Sequence, residues 1–319
     1  MSPAPSRSDK ARFADVSVVI PAYRAADTVG RAIRSVAAGT VQPKEIIVVN
    51  DGDDPDTAAA AEEASRALTN IEVAVVGQPQ AGAGAARNRG LSGATGEFVA
   101  FLDADDEWMP GKLERSMGWV AQGGLDLVAH DYIRVDRDNE QVVSCARHFR
   151  GGEDPYVSLY KRGYIATSTV VARRQSLMRA GGFDTTLQNA QDFELWLRLL
   201  AENDVTYAVF DEPLLRYHVS PSGITSHTDR RLACCLIVAR RHYPKVALHS
   251  AVPLLTLWYR IAAVHKEAMD SHRRKSNWMR LLRTAVGFPI ALAALTLATR
   301  ARSARNRRSW RAPTKTRTR

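Results

Sequence analysis

The hydrophobic and polar positions alternate in blocks rather than singly. Residues 16–20 (VSVVI) form a continuous run rich in β-branched residues that stops at Pro21, the mark of a strand buried on both faces. Apolar Val29, Ile33 and Val36 then recur at helical spacing, with Asp27 or Thr28 placed to cap the start and Gly39 to stop the end. A second buried run, 45–49 (EIIVV), leads into the turn cluster Asn50-Asp51-Gly52-Asp53-Asp54-Pro55. A helix over 57–68, a strand over 71–76, a Gly/Ala-rich helix over 81–93 and a strand over 98–102 continue the alternation. Strands and helices in turn predict a mostly parallel, doubly wound sheet with helices on both faces. The second half is less regular: an extended run near 125–128, a Gly-rich charged loop at 150–155, a strand-like stretch at 167–172, and a helix at 192–201 with an apolar face of Phe193, Leu195, Trp196, Leu199 and Leu200.

Composition changes this picture little and charge changes it a good deal. With 319 residues, 45% hydrophobic and 24% charged, the chain is neither collagen-like, nor a coiled coil, nor wholly disordered. The three cysteines, two of them adjacent at 234 and 235, have no CxxC spacing and predict neither a zinc site nor a disulfide framework. The net charge of +10 is unevenly placed: residues 271–319 hold 14 Lys and Arg with no Asp or Glu, while residues 1–270 hold 30 basic and 34 acidic residues. The body is slightly acidic and the tail strongly basic, which points to contact with an anionic surface, lipid or nucleic acid, rather than to a nucleic-acid enzyme.

Residues 1–15 lack the apolar core of a secretory signal, so the amino terminus is expected in the cytosol. The single stretch near membrane length, 281–299, is interrupted by Arg283 and Pro289. It has about 16 residues between Arg283 and Arg300, short of a straight span, so an interfacial or re-entrant helix is expected, with a buried soluble helix as the alternative. Residues 300–319 predict a disordered basic tail.

In an open sheet, ligands bind beyond the carboxyl ends of the strands, and three such ends carry polar groups: Pro21-Ala22-Tyr23, Asn50-Asp51-Gly52-Asp53 and Asp103-Ala104-Asp105-Asp106. Asp103 and Asp105 leave a buried strand one residue apart, a pattern that can share one hard divalent ion with phosphate oxygens; a plain acidic turn has the same pattern. Asp51 can accept a base or ribose hydrogen bond, or simply face solvent. GAGAAR at 82–87 lacks the third glycine of a dinucleotide loop, but a small-residue helix there lets Arg87 reach a phosphate or a base. Asp192 fits both an N-cap and a general base, and His218 fits both a hydrogen-bonded side chain and a third metal ligand.

Taken in order, VSVVIPAYRAADTVGRAIRSV, EIIVVNDGDD, QAGAGAARNRGL, FLDADDEW, GGFD, QDFELWLRL and RYHVSPSGIT resemble family 2 glycosyltransferases over about residues 15–226. The resemblance implies an α/β GT-A fold and an inverting enzyme that moves a sugar from a nucleotide-diphosphate sugar to a hydroxyl of a glycan or lipid-linked acceptor, in cell-surface polysaccharide synthesis. It implies that Pro21, Ala22, Tyr23, Asp51, Arg87 and Asp103 bind the nucleotide sugar. It further implies that Asp105 and Asp103, with His218, hold Mn²⁺ or Mg²⁺, and that Asp192 is the base. Three positions depart from the common pattern: Asn50-Asp51-Gly52-Asp53 where Asp-Asp-Gly-Ser is frequent, Gln191 for glutamate and Gln80 for asparagine.

The expected organisation is a leader (1–14), a catalytic domain (15–226), a helical extension (227–299) and the basic tail. The expected location is peripheral, at the inner face of the cell membrane through residues 271–319, with no specific nucleic acid as partner. A nucleotidyltransferase, also built on an acidic pair and a doubly wound sheet, and a binding protein that has lost turnover are the competing readings.

Overall fold

The computed structural model describes residues 12–309 except 138, 151, 203 and 221–226. The chain divides into two compact units, residues 1–159 with 163–226, and residues 160–162 with 227–319.

The first unit is built on a seven-stranded mixed sheet. It contains β1 (Arg12–Ala22), α1 (Ala26–Ala37), β2 (Val41–Asp51), α2 (Pro55–Arg66), β3 (Glu72–Gln78), α3 (Ala83–Gly93), β4 (Phe98–Phe101), β5 (Glu107–Trp108), α4 (Lys112–Gly123), β6 (Leu127–His130), β7 (Tyr132–Asp136), β8 (Asn139–Val143), all but the last three residues of α5 (Pro155–Arg162), β9 (Val171–Arg173), α6 (Arg174–Arg179), α7 (Gln191–Leu200), β10 (Tyr207–Phe210) and β11 (Leu215–His218). The strand order is β10-β6-β9-β4-β1-β2-β3, with β9 antiparallel to β4 and β6 and the other pairs parallel. A small second sheet runs β5-β11-β7-β8. Side chains of β1 alternate as the pleat requires. Val16, Val18 and Ile20 join Val29, Ile33, Val36, Ile46 and Val48 in one core layer. Val19 faces α3, where a Cβ on Gly90 would come within 2.4 Å of it, so only glycine lets that helix lie so close.

The strand beginnings are pinned by a buried carboxylate. Glu45 accepts hydrogen bonds from Ser17 Oγ (2.6 Å), Thr95 N (2.8 Å) and Thr95 Oγ1 (2.7 Å). Burial alone would raise its pKa, but these bonds and the charge of Lys44 outweigh it and hold the carboxyl below its ordinary value.

Several details differ from the sequence reading. β1 starts at Arg12, inside the expected leader, and residues 1–11 lie outside the described residues. α1 has Ala25 in the capping position and no side-chain cap, because Asp27 and Thr28 fall inside the helix. The expected cap appears one helix later, where Asp54 accepts from Thr57 N at 3.1 Å.

The second unit has three long helices, α8 (Thr228–His249), α9 (Pro253–Arg274) and α10 (Trp278–Ser309). Successive helices run antiparallel. Thr228 meets Ser271 and Asp229 meets His272 between α8 and α9, while Trp258 Nε1 donates to Thr296 and the rings of His265 and Phe288 meet between α9 and α10. α10 runs unbroken past Pro289, so its stretch Trp278–Thr299 is 22 residues, long and apolar enough to cross a membrane and mostly exposed. The sequence estimate of about 16 residues was short because it stopped at Arg283, which lies within the helix. Exposure also excludes the buried-helix alternative. The helix continues to Ser309, into the stretch expected to be disordered; residues 310–319 lie outside the described residues.

Candidate functional site

The three strand ends singled out by sequence come together because β1 lies between β2 and β4 in the sheet. Tyr23, just past β1, is 44% exposed and its ring lies over Gly52, where a Cβ would be 3.4 Å from the ring. Gly52 has φ +119°, a conformation that favours glycine, and the result is an open aromatic platform beside the β2 turn. Asp51, by contrast, is buried and already engaged. Its Oδ1 accepts from Gln78 Nε2 (2.9 Å) and Ala81 N (2.7 Å), and its Oδ2 from Gly82 N (2.8 Å). It therefore holds the loop that enters α3, with acceptor capacity remaining on Oδ2 for one further donor.

Arg87, on α3, is buried and donates to Asp103 Oδ1 at 2.5 Å. Its guanidinium lies over the Phe183 ring, 5.4 Å from the centroid. Burial opposes its charge, but Asp103, Asp192 and Asp105 together hold it firmly protonated. One arginine thus faces the acidic pair and the expected base. Two glycines allow this convergence. Gly84 lets Gln191, at the start of α7, pack on α3, and Gly182 (φ +67°) brings the backbone of Phe183 onto Asn88, which bonds it at both N and O, 2.8 Å each. A Cβ on Gly182 would lie 2.4 Å from Asn88 Oδ1.

Asp192 is not the N-cap of α7. That position is Ala190, with φ +58°, and Asp192 lies in the first turn. Its Oδ1 accepts from Phe193 N at 2.8 Å and its Oδ2 from Thr167 Oγ1 at 2.9 Å. The next residue, Ser168, donates to Asp106 Oδ2 at 2.6 Å and accepts from Asp103 N at 3.1 Å. A single 3₁₀ turn, Thr167–Thr169, thus ties Asp192 to the acidic turn. Sequence reasoning saw this segment only as strand-like, and missed Thr167, Ser168 and Asn88 as well. The signal available was three consecutive hydroxyl side chains ahead of a buried strand.

Asp103, Asp105, Asp106 and Asp192 are answered by few cations. Burial first, then the charge of Asp103, pushes Asp105 up to about 6, against the pull of Arg31 and Arg87. Asp106 is raised as well, by burial and its two acidic neighbours, although it accepts from Ser168 and from His218 N (3.1 Å). Among the described residues no other residue donates to the Asp105 carboxylate, and Arg31 bonds its backbone oxygen at 2.6 Å. His218 borders the same acidic turn through that backbone bond; among the described residues its Nε2 has no hydrogen-bond partner, and it is 3.7 Å from Glu107 Oε2. Burial and the charges of Arg31 and Arg216 lower its pKa against Glu107, keeping the imidazole neutral.

No three His, Cys, Asp or Glu among the described residues converge as a ready metal cage. The donor set still suits Mg²⁺ or Mn²⁺, which take one or two carboxylates and complete their shell with phosphate oxygens and water. Asp105, underbonded beside a second carboxylate, provides that kind of ligand. Residues 221–226, including the end of the RYHVSPSGIT motif, lie outside the described residues.

The chain is 28% identical to the UDP-Glc:alpha-D-GlcNAc-diphosphoundecaprenol beta-1,3-glucosyltransferase WfgD of Escherichia coli, over 68% of this chain and 82% of that protein. It is 30% identical to the pre-mycofactocin glycosyltransferase of Mycobacterium tuberculosis, over 68% of this chain and 43% of the relative. Among solved structures, S. aureus TarS 1–349 in complex with UDP-GlcNAc superposes with TM-score 0.64 at 17% identity, covering 88% of this chain and 81% of that one. The mannosyltransferase PcManGT of Pyrobaculum calidifontis, solved with GDP-Man and Mn²⁺, gives TM-score 0.57 at 19% identity, covering 91% and 87%. These structures share the GT-A-like fold. The family model of Glycosyl transferase family 2 matches residues 17–182, more than half of the sequence, and the chain belongs to that family.

Proposed function

We propose that this glycosyltransferase is inverting and transfers a sugar from a uridine-diphosphate sugar to a hydroxyl of a lipid-linked or glycan acceptor, in cell-surface polysaccharide synthesis. The observation that carries the reading is the meeting of Arg87, Asp103, Asp105 and Asp192 beyond the strand ends. Two relatives support the donor and acceptor class: the WfgD name specifies UDP-Glc and a diphosphoundecaprenol acceptor, and TarS was solved with UDP-GlcNAc.

In this reading Tyr23, with Pro21 and Ala22, supports the base, and Asp51 offers Oδ2 to its hydrogen donor. Asp103, fixed by Arg87, contacts the ribose or sugar. Asp192, held by Thr167, removes the proton from the acceptor hydroxyl as oxygen attacks the anomeric carbon from the face opposite the leaving group. Arg87 stabilises the negative charge that grows on the departing diphosphate. A divalent ion held by Asp105, with Asp103 beside it, would supply further charge neutralisation there. His218, whose backbone N is bonded to Asp106 and whose Nε2 has no hydrogen-bond partner among the described residues, would be the third ligand.

The exposed α10 and the 14 positive charges of residues 271–319 support a place at an anionic cytoplasmic leaflet, where each basic residue near the surface contributes about 1 kcal/mol. The test is a panel of UDP-, GDP- and dTDP-sugars with Mn²⁺ or Mg²⁺, with membrane extract as acceptor source. Release of a nucleoside diphosphate from one donor, lost in Asp105→Ala and Asp192→Asn, is expected. Pyrophosphate released from a nucleoside triphosphate would make the protein a nucleotidyltransferase instead.

A further inference from the structure

The helical unit has two unlike poles. All three of its carboxylates lie toward one end, and each is paired: Asp229 with Arg280 (2.8 Å) and His272 (2.9 Å), Glu267 with Arg231 (2.7 Å), and Asp270 with Lys266 (2.7 Å). Between Asp229 and Glu267 the sequence has no acidic residue, and none follows Asp270. Because the helices run antiparallel, the acid-free halves gather at the other end: the end of α8, the start of α9 and the later turns of α10, joined by the Trp258–Thr296 bond.

That pole carries large exposed apolar side chains. Leu248 is 80% exposed and Leu255 60%, with Val252, Trp258 and Tyr259 beside them at the α8–α9 corner, and Leu297 on α10 is 66% exposed. From Leu297 an exposed stripe runs back along α10 through Ile290, Val286, Leu282 and Met279, at the spacing of one helical face. Arg240, Arg241 and Lys245 are exposed on the last turns of α8. Exposed apolar area edged with positive charge and free of negative charge is complementary to an anionic bilayer, whose headgroups take the cations while the acyl boundary takes the apolar groups.

We propose that this acid-free pole at the α8–α9 corner, continued by the outer stripe of α10 that runs from it toward the other end, is a membrane-docking surface, with Leu255 and Trp258 entering the leaflet and α10 lying along it. The proposal deepens the membrane placement above, which rests on residues 271–319, by adding an anchor on α8 and α9. α10 lies along the surface rather than across it because it is packed against α9, whose exposed Lys266, Glu267 and Arg273 would otherwise be drawn into hydrocarbon.

Flotation of the full-length chain with phosphatidylcholine vesicles, with and without phosphatidylglycerol, tests this. Wild type floats with the mixed vesicles. The exposed double variant Leu255→Glu/Trp258→Glu is expected to lose about tenfold or more of that partition, while its lipid-free hydrolysis of the nucleotide sugar stays unchanged. Should the double variant misfold, Trp258→Phe keeps the question open: it retains binding but reduces the quenching of tryptophan fluorescence by brominated lipid. Undiminished flotation of the double variant, quenching equal to wild type in Trp258→Phe, or failure of wild type to float would each overturn the proposal. So would light scattering that shows a lipid-free dimer dissolved by the double variant, which would give the face to a second copy. Failure of the proposed reaction is read separately, as absence of nucleoside diphosphate from every donor, and leaves the flotation result standing.

Discussion

The two units handle charge in opposite ways. In the sheet unit, Asp103, Asp105 and Asp192 face one buried arginine with Asp106 beside them, and burial raises two of the four carboxyls. In the helical unit every carboxylate has a cationic partner, and it is the cations that are in excess. An acidic turn that only stabilised a fold would resemble the helical unit, with its charges paired. Acids clustered so that burial and mutual repulsion raise Asp105 and Asp106 carry an electrostatic cost, the arrangement expected of groups kept for a ligand. By the same reasoning, an excess of cations over carboxylates beside an exposed apolar helix is complementary to an anionic partner.

The largest expected effect breaks the acidic cluster at its base. Asp192→Asn keeps the shape and the Thr167 bond but cannot accept a proton, so transfer should fall by about 10²–10⁴-fold with the donor KM nearly unchanged. Loss of only a few-fold would move the base elsewhere among the carboxylates.

The next effect concerns a carboxylate that contrasts with the cluster inside the same unit. Glu45 accepts three hydrogen bonds, and its pKa lies below the ordinary 4.5. A group whose pKa falls on folding stabilises the protein above its unfolded value, and the contribution disappears as pH falls through the folded value. Glu45→Gln should therefore cost about 1–2 kcal/mol at neutral pH by replacing charge-assisted bonds with ordinary ones, and the gap to wild type should close below about pH 4.5. Urea unfolding midpoints measured from neutral pH into acid read this directly. A gap independent of pH would mean that the side chain contributes by packing alone.

A smaller effect separates geometry from chemistry at the site. Thr167→Val removes the hydroxyl that holds Asp192 Oδ2 while keeping the side-chain volume. The expected outcome is a roughly tenfold fall in kcat with little change in KM, restored by Thr167→Ser, because a loosened base loses reach but not its carboxylate. A change in stability without the kcat effect would make the bond merely structural.

How much of this could be read beforehand differs between the units and within the first. The strands VSVVI and EIIVV and the helices between them declare themselves because parallel strands buried on both faces read as unbroken apolar runs, and their order fixes where Tyr23, Asp51 and Asp103 meet. β5, β7, β8 and β11 are short, and in the second sheet part of the surface stays open, so period and run length were silent there. The brace at Thr167 and Ser168 depends on contacts 25 and 62 residues away, which no local pattern encodes. The position of Asp51 at a strand end was legible, but its bonds to Ala81 and Gly82 follow from loop geometry. The helical unit shows the converse. Its charge imbalance is plain in the sequence, while the gathering of the acid-free halves at one pole needs the antiparallel pairing.

The smallest effect is expected where the charges are already paired. Asp229 sits between Arg280 and His272, with its side chain 53% exposed and that of Arg280 61% exposed. The exposed pair with Arg280 contributes about 0–1 kcal/mol and is screened by salt, and Asn can still accept from His272, so Asp229→Asn should lower the unfolding midpoint slightly at low ionic strength and less at high. The rate of sugar transfer should not change. Yet the same substitution releases Arg280 and removes one of the three negative charges of the helical unit, so partition onto anionic vesicles should rise rather than fall. A variant that loses stability by several kcal/mol would show the pair to be a structural pin of the α8–α9 end. Stability near wild type with weaker vesicle binding would contradict the division of labour between the two units, since removing a carboxylate from the basic unit would then have cost it contact with an anionic surface.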